Sequence, residues 1–174
     1  MTIIVETGAG VADAESFASV AFASDYHRKR GNAAWDDLDT ADKEAKLRIA
    51  TDFMEQEYRE QWAGCRVSAS QALSWPRYEV PMKDAPGGSS SSPGYYPFNT
   101  VPALVSQACA LLALRSIDGD LSSVPDVAVK REKAGPVEVE YFQPVMPVRA
   151  ISGIAEMLRP LLRGNDLNVR LVRA

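Results

Sequence analysis

Aromatic and guanidinium side chains alternate in one stretch of the sequence, residues 62–78. Trp62 and Trp75 could stack on unpaired bases, and Arg66 and Arg77 could bind phosphates, which is the chemistry of proteins that bind single strands. The same four residues also suit a packed corner, in which tryptophans bury a large area and arginines donate to carbonyl or carboxylate groups. The sequence alone leaves both interpretations of this stretch open.

A second group of charges lies in the stretch VKREKAGPVEVEY, residues 129–141. A basic run precedes an Ala-Gly-Pro break, and Glu138 and Glu140 follow the break. The alternation of residue types around this break predicts a β-hairpin. Opposite charges that meet across such a hairpin are expected to form cross-strand ion pairs, which explains the basic run without a nucleic acid.

Side chains that could carry acid–base or metal chemistry are sparse. His27 is the only histidine and lies in the basic segment HRKR, where a solvated or helix-end role is expected. The acidic run DDLDTADKE, residues 36–44, lies at a predicted helix start, where the helix dipole favours carboxylates. Cys65 and Cys109 are expected to be reduced, structural thiols. We therefore expect no catalytic residue, no metal and no cofactor, and we do not expect an enzyme.

The length, composition and net charge of the chain limit the class of protein. The chain of 174 residues is 46% apolar and 24% charged, which fits one globular domain with its own core. Its formal net charge of −4 argues against a surface built throughout to coat nucleic acid. The start, MTIIVETGAG, lacks the features of a signal peptide, and the longest apolar stretch, 108–114, is well short of the about 20 residues that span a bilayer. These patterns predict a soluble, cytosolic protein.

Helical periodicity and capping residues predict the framework of the fold. The predicted helices cover residues 19–31, 39–58, 102–118 and 151–162. Thr100 is expected to cap the third helix, which Pro102 begins. Because that helix is apolar on nearly every face, other elements must surround it. The predicted fold class is mainly α, a small helical bundle around one buried central helix, with a β-hairpin and a C-terminal strand.

Three extended pieces are predicted within a single domain, 1–174: a flexible arm at 84–99, the hairpin at 127–142 and a C-terminal tail at 163–174. Extended segments with unpaired backbone groups can add strands to a neighbouring chain, and aromatic side chains at a loop tip are typical partner anchors. We therefore expect these pieces to form subunit or partner interfaces. The expected interface residues are Lys130, Arg131, Lys133, Val137, Val139, Tyr141, Tyr95, Tyr96, Phe98, Arg163, Val169, Arg170 and Leu171.

Segments spread over most of the chain carry a family resemblance. They are IIVETGAGVADAESFASV, WAGCRVSASQALSWPR, VPALVSQACALLAL, VKREKAGPVEVEY and the C-terminal LRPLLRG and LVRA. They resemble a family of small tailed-phage and prophage proteins labelled DnaT-like single-stranded-DNA-binding proteins, with QALSWPR and VKREKAGPVEVEY as the most specific parts. The Ser-rich arm is longer than this family pattern. In size and element order the chain is also similar to the head–tail connector (adaptor or neck) proteins of long-tailed phages.

The resemblance implies a structural virion protein first and a DNA-binding protein second. As a connector, the domain would form an oligomeric ring of about 12 copies, join the phage portal protein to a tail-completion or tail-terminator protein, and pass double-stranded DNA without binding it specifically. It would assemble in the host bacterial cytoplasm, reside in the virion neck and direct its basic C-terminal part, including Arg163, at the portal. The alternative is a single-stranded-DNA-binding accessory protein of phage replication. Neither role involves a cofactor or a membrane.

Overall fold

Five α-helices form the framework of the described part of the protein. The computed structural model describes residues 2–82, 84–85, 94–121, 131–134, 137–140 and 148–163, and for 131–134, 137–140 and 148–152 it describes the backbone elements. The helices are α1 (Val20–Arg28), α2 (Ala33–Asp36), α3 (Thr40–Tyr58), α4 (Ala103–Arg115) and α5 (Val148–Leu158), and a 3-10 turn, Arg159–Leu161, follows α5. Helices accompanied by small two-stranded sheets are compatible with the predicted mainly α class.

The first turns of the helices follow local capping chemistry. The Ser19 hydroxyl accepts a hydrogen bond from the backbone N–H of Phe22, at 3.1 Å, and α1 begins at the next residue. The Asp39 carboxylate accepts from the backbone N–H of Asp42, at 2.8 Å, and α3 begins directly after it. Both predicted starts are therefore confirmed.

The predicted cap of the central helix is wrong. Pro102, which has no side-chain acceptor, occupies the cap position, and α4 begins at Ala103. Thr100 lies too early in the chain to reach the first helical amides, and its hydroxyl donates instead to the Pro97 carbonyl, at 3.1 Å. A proline preset to φ −57° starts this helix without a side-chain hydrogen bond.

Helix α4 is the centre of the packed interior. It contacts α1, α3 and α5, and its buried side chains lie on several faces, as the sequence predicts. Helix α3 buries one apolar stripe in the same cluster, which comprises Leu47, Ala50, Met54 and Tyr58. Cys109 of α4 lies within this interior, where burial raises the pKa of its thiol.

Three two-stranded antiparallel sheets complete the described elements. The strands are β1 (Cys65–Arg66) with β2 (Arg77–Tyr78), β3 (Pro81–Met82) with β4 (Gly94–Tyr95), and β5 (Arg131–Ala134) with β6 (Val137–Glu140). The third sheet is the predicted hairpin, and its register places Arg131 opposite Glu140 and Lys133 opposite Glu138. This backbone register brings opposite charges to facing positions, as the ion-pair interpretation requires.

Several predicted interface residues lie outside the described residues. They are Lys130, Tyr141, Val169, Arg170 and Leu171, together with the predicted C-terminal strand. Arg131, Lys133, Val137 and Val139 are placed by the backbone of the hairpin. The described ends of the predicted arm include β4, so Gly94 and Tyr95 pair with the main body through β3.

The glycine-rich segment near the N terminus is a turn that surrounds the Glu6 carboxylate. Glu6 is buried, and its carboxylate oxygens accept from the backbone N–H groups of Gly8, Gly10 and Val11, at 2.7, 3.1 and 2.7 Å. Positive φ angles of 105° at Gly8 and 72° at Gly10 turn these donors inward. An internal anion therefore occupies the position that a phosphate would take in a phosphate-binding loop.

Candidate nucleic-acid interface

The two tryptophans of the aromatic and basic stretch are buried. Trp62 and Trp75 have no exposed surface, and their rings meet edge to face with centroids 5.7 Å apart. A buried indole cannot stack on a base, so the packed-corner interpretation describes both residues and the stacking interpretation does not. Their position holds β1 and β2 against the end of α3, because the Trp62 ring also contacts Tyr58.

Arg77 is the polar centre of this corner. It is only 5% exposed, and its guanidinium donates to the carbonyl oxygens of Ala63, Gly64 and Ser74 at 2.7, 2.8 and 3.0 Å. Neutral carbonyl groups satisfy its donors and leave its positive charge in place. Arg77 therefore ties β2 to the segment before β1 and fixes a cation at a defined point.

Four arginines line a cleft beside this corner, and the cleft has a volume of about 310 Å³. We call it the arginine cleft, and its lining residues are Arg59, Glu60, Gly64, Cys65, Arg66, Ser74, Arg77 and Arg163. Three separate parts of the chain supply the cations: Arg59 directly after α3, the sheet of β1 and β2, and Arg163, the second residue after the 3-10 turn. The tertiary fold creates this concentration of positive charge.

Backbone hydrogen bonds position Arg163 at the cleft. Its N–H donates to the Gln61 carbonyl at 2.7 Å, and the Ala63 N–H donates to the Leu161 carbonyl at 3.0 Å. These bonds join the segment after α3 to the end of the 3-10 turn. They bring Arg163 to the same cleft as Arg59, although the two residues are far apart in the sequence.

The cations of the arginine cleft are incompletely neutralised. Arg59 pairs with Glu55 at 3.4 Å, and Arg66 donates to the Gln71 carbonyl at 3.2 Å. Within the part of the chain that the structure describes, the Arg163 guanidinium has no ion-pair or hydrogen-bond partner. Burial, and then the neighbouring cations of Arg163 and Arg66, lower the pKa of Arg77. Since these like charges disfavour one another, an anion in the cleft would be stabilised.

Exposed aromatic rings lie beside the cleft. Tyr78 directly follows Arg77 and is the cross-strand partner of Cys65, which lines the cleft. The Tyr78 ring stacks on Phe98, with centroids 5.0 Å apart and planes inclined by 28°. Of the predicted loop-tip aromatics, Tyr95 and Phe98 are exposed, whereas Tyr96 packs in part against the core.

The four residues named from the sequence as alternative nucleic-acid contacts take different positions in the structure. Arg66 and Arg77 line the cleft, whereas Trp62 and Trp75 lie beneath it. Arg59 was missed because it has the appearance of a solvated residue at a helix end. Only the backbone contacts of the segment after α3 bring it together with Arg163.

The described residues contain no group of three or more His, Cys, Asp or Glu side chains able to hold a metal ion. None of the helices in the described ranges is both long enough and apolar enough to cross a membrane.

Comparison with known proteins gives one match. The profile of the family described as "Putative DnaT-like ssDNA binding protein" matches residues 1–174, the whole chain. No curated protein and no solved structure matches significantly. The family match agrees with the resemblance in the sequence and favours the single-strand-binding alternative over the head–tail connector that the sequence analysis placed first.

Proposed function

Since the chain belongs to the family of DnaT-like ssDNA binding proteins, we propose that it binds single-stranded DNA through the arginine cleft. The observation that carries this proposal is the convergence of four arginines on a protein whose net charge is −4. Among the described lining residues, Glu60 is the only acidic one. A concave, locally positive site focuses the field on a phosphate even when the whole molecule is acidic. No catalytic residue takes part in this function.

The four arginines have different parts in the proposed contact. Arg77 is held by three carbonyl groups and supplies a fixed charge. Among the described residues, the Arg66 guanidinium donates one hydrogen bond and the Arg163 guanidinium donates none, so most of their donors remain available to an incoming ligand. A guanidinium can donate two parallel hydrogen bonds to one phosphate. Arg66 and Arg163 are therefore the proposed phosphate contacts.

The double variant Arg66→Gln and Arg163→Gln tests this assignment. We expect it to bind a labelled oligothymidylate about tenfold or more weakly at low salt, because two charge-assisted contacts are lost. The slope of log K against log salt concentration should also become shallower by about 1.4, since each single-strand phosphate contact contributes about 0.7. Fluorescence anisotropy titrations at several salt concentrations measure both quantities.

Arg28→Gln is the matched control. Arg28 is an exposed arginine on α1 that pairs with Asp25 at 2.7 Å, and α1 contributes no residue to the arginine cleft. This variant should bind with unchanged affinity and salt slope. A double variant that keeps the slope of the unmodified protein, or an unmodified protein that binds no single strand at low salt, would contradict the proposed function.

The head–tail connector is a second candidate, favoured by one observation. The sheet of β5 and β6 has only these two strands among the described residues, and within those residues neither outer edge has a strand partner. Such edges can accept a strand from a neighbouring copy, and a head-to-tail repeat of that contact closes a ring. In this role the protein would assemble in the host cytoplasm, bind portal and tail proteins in the virion neck and let double-stranded DNA pass.

A further inference from the structure

We propose that the stacked rings of Tyr78 and Phe98, called here the aromatic pair, bind unpaired bases of the strand whose phosphates occupy the arginine cleft. This inference rests on the proposed function and adds to it the part of the nucleotide that the protein contacts. It also replaces Trp62 and Trp75, which are buried, with rings that a base can reach.

The aromatic pair is exposed, whereas most large apolar side chains among the described residues are buried or partly buried. Tyr78 is 40% exposed and Phe98 is 50% exposed. The two rings stack on each other at 5.0 Å, so a planar base can extend the stack on an outer ring face. Stacking of this kind tolerates any base, because every base has a π face.

The backbone brings the aromatic pair to the edge of the arginine cleft. Tyr78 and Cys65 are directly opposite each other in the sheet of β1 and β2, so their side chains project from the same face of this ribbon. Cys65 lines the cleft, and Arg77, the neighbour of Tyr78 in the chain, lines it as well. Side chains of consecutive strand residues point to opposite faces, so it is Cys65, and not Arg77, that places the Tyr78 ring beside the cleft, within reach of a strand whose phosphates lie there.

The loop that carries Phe98 is held in place by contacts on both sides. The Tyr96 N–H donates to the Val80 carbonyl at 3.0 Å, and the Thr100 hydroxyl donates to the Pro97 carbonyl at 3.1 Å. At Gly8, an added Cβ atom would overlap the Asn99 backbone, so this loop packs closely on the N-terminal turn. Phe98 is therefore presented by an ordered segment, which lowers the entropic cost of stacking.

This arrangement selects for single strands. In a duplex the base faces are already stacked on their neighbours, whereas an unpaired strand can turn a base out onto an aromatic side chain. The arginine cleft alone would attract phosphates of either form. The aromatic pair supplies the discrimination that the cleft lacks.

The test compares two ligands of equal length, an oligothymidylate and a strand of abasic deoxyribose phosphates. We expect the unmodified protein to bind the oligothymidylate on the order of tenfold more tightly, the range for one or two base stacks. Phe98→Ala should weaken oligothymidylate binding by about the same factor and leave abasic binding unchanged, so that the two ligands become equivalent. Its salt slope should equal that of the unmodified protein, because no phosphate contact is lost.

Two substitutions of Phe98 separate stacking from apolar contact. Phe98→Trp keeps a large ring and should preserve the preference for bases, whereas Phe98→Leu keeps apolar area without a ring and should lose it. Phe22→Ala is the matched control, because Phe22 is an exposed ring on α1 that stacks on Tyr26 with centroids 6.2 Å apart. It should leave binding of both ligands unchanged.

Each outcome decides between the two proposals. Equal binding of both ligands by the unmodified protein, or full binding by Phe98→Leu, overturns the role of the aromatic pair and leaves the arginine cleft standing. Equal weakening of both ligands by Phe98→Ala, with a lower unfolding temperature, shows a structural ring and also overturns it. A protein that binds neither ligand at low salt removes the cleft and the aromatic pair together.

Discussion

His27 is held in the interior by both of its ring nitrogens. Its Nε2 lies 3.0 Å from the Ala110 carbonyl oxygen, and its Nδ1 lies 3.0 Å from the side-chain nitrogen of Asn32. These partners fit a neutral ring that donates from Nε2 and accepts at Nδ1. Burial lowers the pKa of His27, and the Arg30 cation adds to this, while the Ala110 hydrogen bond and the Asp36 carboxylate oppose it.

A pH dependence of stability follows from this burial. Because the folded pKa lies below the ordinary value of 6.5, the unfolded chain binds a proton that the folded protein excludes. The contribution of His27 to stability is therefore present above pH 6.5 and is lost as the pH falls from there to the folded pKa. Within that interval, each fall of one pH unit lowers the free energy of unfolding by about 1.4 kcal/mol.

Urea unfolding at about pH 7.5 and about pH 5.5 measures this effect, and His27→Gln removes the titrating group. The variant should be less stable at the higher pH and should lose less stability on acidification than the unmodified protein. Glu15 and Asp25 have pKa values lowered mainly by hydrogen bonds from Arg48 and Lys29, so they titrate below this window. An equal loss in both proteins would show that His27 is not the source.

At the residue scale, the sequence predicted the role of a side chain better than its burial. It identified His27 as structural and expected a solvated or helix-end role. His27 does lie in the last turn of α1, but its ring is buried against α4 and is not solvated. Basic neighbours in HRKR suggest solvent because the sequence does not show which side of α1 faces the core. The same limit applies to Trp62 and Trp75, since an indole that stacks and an indole that packs have the same local sequence.

The sheet of β1 and β2 depends on a close approach of backbones at Gly64. Its φ of 66° favours glycine, and an added Cβ atom would overlap the Tyr78 carbonyl oxygen. The carbonyl of Gly64 also accepts a hydrogen bond from Arg77. This one position therefore controls the spacing of the strands that carry Arg66, Arg77 and Tyr78.

Gly64→Ala should destabilise the protein by about 3 kcal/mol or more, because left-handed strain of about 1 to 3 kcal/mol is joined by a backbone clash. Gly31→Ala measures the left-handed strain without the clash, because Gly31 has a similar φ of 70° and its added Cβ would meet no atom within 4 Å. It should cost only about 1 kcal/mol. Chemical unfolding of both variants measures the difference, and equal losses would mean that the strands can separate freely at Gly64.

At the element scale, the sequence predicted the elements that have a periodic residue pattern or a capping residue. Ser19, Asp39 and the alternation around residues 134–136 locate α1, α3 and the hairpin of β5 and β6. Helix α2 and the strands β1 to β4 were not predicted, because an element of two to four residues shows no periodicity. Their positions are set by tertiary contacts such as the three carbonyl bonds of Arg77.

For the whole molecule, assembly tests the connector candidate. Replacing Val137 and Val139 with Asp puts two charges on one face of the hairpin, and we expect this to abolish oligomers formed with the portal while the monomer keeps its unfolding temperature. Lys43→Asp, a surface change on α3, is the control. Native mass spectrometry and negative-stain imaging, with and without portal, measure the outcome. A fall in unfolding temperature with assembly intact would show that the hairpin only completes its own subunit.

The site is a property of the whole molecule, which is why the sequence predicted only part of it. A net charge of −4 argues against a nucleic-acid surface, yet the fold gathers Arg59, Arg66, Arg77 and Arg163 at one cleft. Net charge averages over the surface, whereas a phosphate responds to the charges within a Debye length of about 8 to 10 Å. The convergence depends on backbone bonds between the segment after α3 and the 3-10 turn, which no local pattern encodes.

Trp35, Trp62 and Trp75 are all the tryptophans of the chain, and none has exposed surface. Their ultraviolet emission is therefore shielded from water and from any quencher that stays outside the fold. A strand bound at Tyr78 and Phe98, as proposed, would not touch the tryptophans, whereas unfolding exposes them to water and shifts their emission to longer wavelengths. The intrinsic tryptophan fluorescence therefore reports the integrity of the folded interior.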